Sequence, residues 1–146
     1  MTDALDSPPK QPSKRDTSTT AHQLTLPCVL SFNANDPTGA GGLAADIGAM
    51  GSASVHMLPV VTAVLIRDTT AVQDHVSLDA DAINDQARMV LEDIPVTSIK
   101  VGFLGSPENI SAVAQIANDY ADTPVVAYMP SLTWMDDIAL DAYLDA

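Results

Sequence analysis

The stretch NANDPTGAGGLAAD, Asn33 to Asp46, decides how the rest of the chain is read. An apolar run, LPCVLSFN (Leu26 to Asn33), precedes its turn, and Ala-rich sequence from Leu43 to Ala53 follows. The first reads as a buried strand and the second as a helix, although Gly48 and Gly51 weaken that helix by about 1 kcal/mol each. Between them, Asp36-Pro37 and Gly39, Gly41 and Gly42 let the backbone take positive φ and come close to a ligand, beside the free N–H groups of a helix start. Such a corner suits a small polar or anionic ligand. It equally suits a plain tight connection. No Lys-Ser/Thr follows the glycines, which excludes a P-loop, and Gly39-Ala40-Gly41-Gly42 lacks the spacing of a dinucleotide fingerprint.

Downstream, the apolar and polar segments alternate. HMLPVVTAVLI (His56 to Ile66) reads as a strand covered on both faces, with Pro59 near its start where a missing N–H does least harm. Ala71 to Val76 reads as a short strand, and Ser77 or Asp79 as the cap of a helix from Ala80 to Glu92 whose apolar face holds Ile83, Ala87, Val90 and Leu91. SIKVGF (Ser98 to Phe103) is the next strand. Ser106-Pro107-Glu108 combines a cap, a first-position proline and a first-turn acid, and opens a helix to Asp119 on Ile110, Val113, Ala114 and Ala117. Val125 to Tyr128 reads as a strand and Asp136 to Leu144 as a last helix.

This alternation predicts an α/β layered fold with a largely parallel sheet flanked by helices, occupying residues 26–146. Met1 to Thr25, rich in Ser, Thr, Pro, Asp and Lys, reads as a disordered tail. Ligands in such sheets bind beyond the carboxyl ends of the strands. The loops at those ends contain Asn33 to Gly42, Arg67 to Thr69, Phe103 to Ser106 and Tyr128 to Thr133.

Composition narrows the partners. The 146 residues are 47% hydrophobic and 17% charged, with a net charge of −13 from 19 acids and 6 bases. From Cys28 onward, Arg67, Arg88 and Lys100 face 16 acids. Nucleic acid and anionic membranes are therefore unsuitable partners. One cysteine, Cys28, excludes a disulfide framework and a CxxC metal pair, so a reducing cytoplasm fits best. No apolar run approaches a membrane span, and no secretory h-region is expected. His22, His56 and His75 lack metal-ligand spacing and read as surface or satisfied core imidazoles.

Taken as one unit, VLSFNANDPTGAGGLAAD (Val29 to Asp46), VVTAV and RDT resemble the hydroxymethylpyrimidine/phosphomethylpyrimidine kinases of thiamine biosynthesis, in the ribokinase-like superfamily. Asp36, Gly39, Gly42, Ala45, Asp46, Thr62, Ala63 and Thr69 match in register. LEDIPVTSIKVGFLGS (Leu91 to Ser106) continues the match through Asp93, Lys100, Gly102, Leu104 and Gly105. The resemblance covers about Val29 to Val126. It implies a kinase that uses ATP and Mg²⁺ to phosphorylate 4-amino-5-hydroxymethyl-2-methylpyrimidine and then its monophosphate, chemistry carried by positioning and charge stabilisation. It further implies a ribokinase-like fold, a small-molecule pyrimidine partner and homodimers. On this resemblance Asn35, Asp36, Gly39, Asp46, Arg67 and Phe103 are the candidate substrate-side residues.

The departures are specific. Arg67-Asp68-Thr69 stands where the family has Gln-Asn-Thr, and a guanidinium only donates where the amide of Gln both donates and accepts. Arg67 then pairs with Asp68 or meets an anion. Asn33 and Ala34 replace Ala-Gly and add bulk beside the turn. Tyr128 stands where the family carries an Asp facing phosphate and metal, with Asp136 or Asp137 as substitutes. Gly-rich segments of the family's second half have no counterpart after Gly105, so no catalytic residue is assigned and the metal ligands remain unknown. The chain accordingly reads as the N-terminal, substrate-side half of such a kinase, inactive alone, with an exposed sheet edge and apolar face. The alternative reading is a degenerate, non-catalytic relative that binds small molecules or regulates.

Overall fold

A computed structural model describes residues 26–146, so the tail reading of residues 1–25 lies outside the described residues. The elements run β1 (Cys28–Asn35), α1 (Gly42–Ser52), β2 (His56–Arg67), β3 (Val72–Ser77), α2 (Ala80–Asp93), β4 (Ser98–Val101), α3 (Pro107–Asp119), β5 (Val125–Ala127) and α4 (Asp137–Leu144). One five-stranded sheet has the order β3-β2-β1-β4-β5. β1 pairs in parallel with β2 and β4, and β4 in parallel with β5, while β3 returns antiparallel along β2. The largely parallel sheet holds, with β3 as its antiparallel edge.

Local chemistry sets most boundaries. Asp79 caps α2 by accepting the Asp81 N–H at 2.9 Å, which settles the choice between Ser77 and Asp79. Ser106 caps α3 at the Asn109 N–H, with Pro107 in the first turn, and Asp136 caps α4 at the Ala139 N–H. Pro59 sits in the part of β2 that precedes its pairing with β3, which covers Ala63 to Arg67. Its missing N–H thus falls where β2 has a partner on one flank.

The core lies between one face of the sheet and α2 and α3. Leu30 and Phe32 of β1, Val60 of β2 and Ile99 of β4 meet Ile83 and Ala87 of α2 and Val113 and Ile116 of α3 there. Two expectations change. On α3, Ile116 is fully buried and Ala114 is exposed, because the face follows Asn109, Val113 and Ile116 at four- and three-residue steps. β2 is not covered on both faces throughout, since Pro59 in its first half is exposed. Beyond the reach of α1, an 11-residue helix, Val64 and Ile66 are exposed.

α1 covers the opposite face over β1, and the lining there is polar. Ser31, Asn33 and Lys100 all reach Asp46 of α1. β5 is the other edge, with Val125 and Val126 exposed as the apolar-edge expectation requires. No helix among the described residues is long and apolar enough to cross a membrane.

Candidate functional site

The carboxyl ends of β1, β2, β4 and β5 open onto one cavity of about 170 Å³. Asn33, Ala34, Asp36 and Gly42 come from the first loop, Leu65 and Arg67 from the end of β2, and Gly102 and Phe103 from the loop after β4. The segment after β5 closes it with Tyr128, Leu132 and Trp134. The volume lies below the roughly 300 Å³ at which drug-sized sites begin, so it suits a single ring.

The first loop is shaped by two close approaches. Gly42 has φ of 58°, and a Cβ there would lie 2.3 Å from the Ala34 carbonyl oxygen. Gly102 faces the Asn33 side chain so closely that a Cβ would meet its Oδ1 at 2.5 Å. The Asn33 carboxamide fills that space usefully. Its Oδ1 accepts the N–H groups of Ala34 at 2.9 Å and Phe103 at 3.1 Å, and its Nδ2 donates to Asp46 at 3.0 Å. The added bulk expected from Asn33 is therefore a clamp joining β1, the β4 loop and α1.

Asp36 and Arg67 meet across the cavity mouth. Arg67 Nη1 donates to Asp36 Oδ2 at 3.1 Å, while Arg67 Nε donates to the Asp68 carbonyl at 3.0 Å. Asp36 Oδ1 accepts from the Thr38 N–H at 2.9 Å and the Thr38 hydroxyl at 2.7 Å. Burial alone would raise the Asp36 carboxyl. The Thr38 hydrogen bonds, the Arg67 charge and the Gly41 N–H outweigh it and leave the group below its ordinary range. The expected Arg67–Asp68 pairing survives only at the Asp68 carbonyl. The Asp68 carboxylate is instead held by the Thr70 hydroxyl and the Thr70 and Ala71 N–H groups, and its pKa falls to about 2.

Phe103 forms the aromatic wall. It lies edge-on to Trp134 at 5.6 Å and to His75 at 5.1 Å, and stacks on Tyr143 at 5.4 Å between ring centres. Behind it, Thr62 donates to the Phe103 carbonyl at 2.6 Å, and His75 Nε2 donates to the Gly105 carbonyl at 2.8 Å. Tyr143 Oη accepts the Leu104 N–H at 2.9 Å. α4 thereby buttresses the same wall.

Of the six sequence candidates, Asp36, Arg67 and Phe103 line the cavity. Asn35, at the end of β1, and Gly39, on the turn, are exposed outside it, and Asp46 lies beneath, its carboxylate 2.8 Å from Lys100 Nζ at both oxygens. Trp134 was not among the candidates. Its signal in the sequence is its position as the single tryptophan, one residue beyond the fourth loop at Tyr128 to Thr133.

The residues do not fit Mg²⁺. Among the described residues no group of three or more His, Cys, Asp or Glu side chains is placed to hold a metal ion. Asp36 is engaged by Arg67 and Thr38, neither Asp136 nor Asp137 lines the cavity, and Tyr128 offers no carboxylate.

A family model described as phosphomethylpyrimidine kinase matches residues 36–132. A hydroxymethylpyrimidine/phosphomethylpyrimidine kinase of Streptomyces coelicolor is 34% identical over 103 residues, covering 70% of this chain and 38% of its own. A kinase of the same description from Mycobacterium leprae is 37% identical over 87 residues, covering 60% of this chain and 31% of its own. The chain thus spans well under half the length of these relatives. Among solved structures, a phosphomethylpyrimidine kinase from Clostridium difficile superposes with a TM-score of 0.63 at 27% identity, over 70% of this chain and 44% of its own. A Bacillus subtilis pyridoxal kinase shares the fold with a TM-score of 0.65 at 21% identity, over 70% of this chain and 41% of its own. With a match running from Asp36 through the cavity loops to Leu132, the chain belongs to the phosphomethylpyrimidine kinase family.

Proposed function

We propose that this chain is the substrate-side part of an ATP-dependent cytoplasmic kinase that phosphorylates the hydroxymethyl group of a small aromatic heterocycle. The reference compounds are the family's 4-amino-5-hydroxymethyl-2-methylpyrimidine and its monophosphate. One observation carries the reading: a ring-sized cavity at the carboxyl end of the parallel sheet, walled by Phe103 and Trp134 and bordered by the Arg67–Asp36 pair.

In this reading Phe103 packs against the ring, Trp134 and Leu132 exclude water, and the β1–α1 turn orients the polar edge. Holding the hydroxymethyl group in place is the larger part of catalysis in phosphoryl transfer. The phosphoryl donor would be ATP with Mg²⁺, and among the described residues no group of three or more His, Cys, Asp or Glu side chains is placed to hold the metal. The transfer groups on this reading come from protein outside residues 26–146.

A second reading, a binding module without turnover, draws on Tyr128 in place of a carboxylate and on an Asp36 already spent on Arg67 and Thr38. One measurement tests both readings and a second separates them. Titration of the chain with the hydroxymethylpyrimidine, followed by calorimetry, is expected to show saturable binding under either reading, and absence of binding by any ring compound overturns both. ADP release by the full gene product in the presence of the ring supports the kinase. Binding without ADP release assigns the module.

A further inference from the structure

We infer that Arg67 sets the cavity's specificity: it takes an aromatic ring whose polar edge presents hydrogen-bond acceptors, such as ring carbonyl or anionic oxygens, in preference to an amino-bearing edge. The inference rests on the proposed reading of the cavity as the site of a ring substrate.

It follows from the side-chain polar atoms around Arg67. The carboxylate and carboxamide acceptors beside it are already engaged and buried. Asp36 Oδ1 takes two hydrogen bonds from Thr38 and Oδ2 takes one from Arg67, and this carboxylate side chain is only 1% exposed. Asn33 Oδ1 takes the Ala34 and Phe103 N–H groups, and its amide nitrogen is committed to Asp46. The donors are not. Arg67 uses Nε and one Nη1 hydrogen, and its Nη2 makes no hydrogen bond among the described residues, although the side chain is only 20% exposed. A guanidinium carries five N–H donors and no acceptor, so Arg67 keeps donors to offer and can accept nothing.

A ring amino group turned to this edge would meet N–H against N–H, leaving both without a protein partner beside a side chain that is only 20% exposed. A ring carbonyl would take the Arg67 donors directly. The remaining lining favours a ring over a bare anion, because Leu65, Val72, Phe103, Leu132 and Trp134 supply apolar and aromatic surface. The Arg67–Asp36 bond matters here as a positioning device. It holds the guanidinium at the mouth and removes the one carboxylate that would otherwise accept from an amino group.

The test uses the full 146-residue chain and the quenching of Trp134 fluorescence, with 5-hydroxymethyluracil as the oxo-edged probe and 4-amino-5-hydroxymethyl-2-methylpyrimidine as the amino-edged one. The oxo ring is expected to bind about tenfold tighter or more. Arg67→Lys, still a pure donor, is expected to keep the order. Arg67→Gln, which adds an acceptor, is expected to erase or invert it, with circular dichroism showing each variant folded. Inorganic phosphate is expected not to compete at millimolar concentration. Tighter binding of the amino ring by the wild-type chain, or an unchanged ratio in folded Arg67→Gln, overturns the inference while leaving the ring site standing. Equal competition by phosphate overturns the ring assignment in favour of a bare anion. If neither ring binds wild type or variant, the proposed function itself falls and the inference with it.

Discussion

Lys100 of β4 places its Nζ 2.8 Å from both carboxylate oxygens of Asp46 on α1, locking the helix that follows the first loop onto the sheet. Neither side chain is fully exposed, and Ser31 and Asn33 complete the set of donors around the carboxylate. Lys100→Met leaves that charge without its counter-ion and is expected to cost about 2–3 kcal/mol, at or just below the range for breaking a buried pair because both partners keep some solvent contact. Replacing both, Lys100→Met with Asp46→Asn, removes the unpaired charge while keeping an amide oxygen for Ser31 and Asn33, and is expected to recover part of that loss. Urea unfolding of the two variants measures the difference.

Acid is expected to weaken the fold through the same carboxylate and Asp36. Burial would raise the Asp46 carboxyl, but the Lys100 and Asn33 hydrogen bonds, the Lys100 charge and the Ser31 hydroxyl together hold it below 3.8. Asp36 is lowered by its own partners. Because each folded pKa lies below its unfolded value, the folded chain binds fewer protons. Their stabilisation is present above about pH 4 and is lost as pH falls through the folded values. Urea midpoints should fall steeply below pH 4, and the Asp36→Asn, Asp46→Asn double variant should show a flatter acid limb.

Three glycines in and beside the site should differ in a set order. Gly42→Ala drives a Cβ into the rigid Ala34 carbonyl and is expected to cost about 3 kcal/mol or more. Gly102→Ala meets a side chain, Asn33, and is expected to cost about 1–3 kcal/mol, part of which Asn33→Ala recovers. Gly39 has φ of 73° with open space around it, so Gly39→Ala pays only backbone strain of about 1–2 kcal/mol. Thermal unfolding of the three variants checks the ranking.

Tyr143→Phe removes the acceptor of the buried Leu104 N–H while keeping the ring stacked on Phe103. A loss of about 1–3 kcal/mol is expected from the unsatisfied donor. If the aromatic wall rather than the hydrogen bond carries α4, chemical denaturation will show no change.

Some features were legible in the sequence because their causes are local. Asp79 and Ser106 cap helices through N–H groups two or three residues away, and Gly39 and Gly42 take their positive φ within one turn. The alternation of apolar runs with helical stretches likewise determined the α/β layering and the set of loops that meet at one rim. The antiparallel return of β3 follows from the four residues between Arg67 and Val72, too few for a parallel crossover, whereas the burial of Ile116 depended on how α3 rotates against the sheet.

What the tertiary structure alone decided is which of these groups meet. Arg67 lies beside Asp68 in sequence, yet its carboxylate partner is Asp36, 31 residues away, because the Asp68 carboxylate closes its own turn on Thr70 and Ala71 while β1 and β2 end side by side. Asp46 belongs to the site by motif but lies under it, since β4 places Lys100 beside β1 and draws the carboxylate down to the sheet. Trp134 reaches Phe103 only because the segment after β5 folds back over the rim. Caps and turns depend on neighbours along the chain, whereas the partner of a charge or the wall of a cavity depends on strand order, and that order is established by packing the whole core.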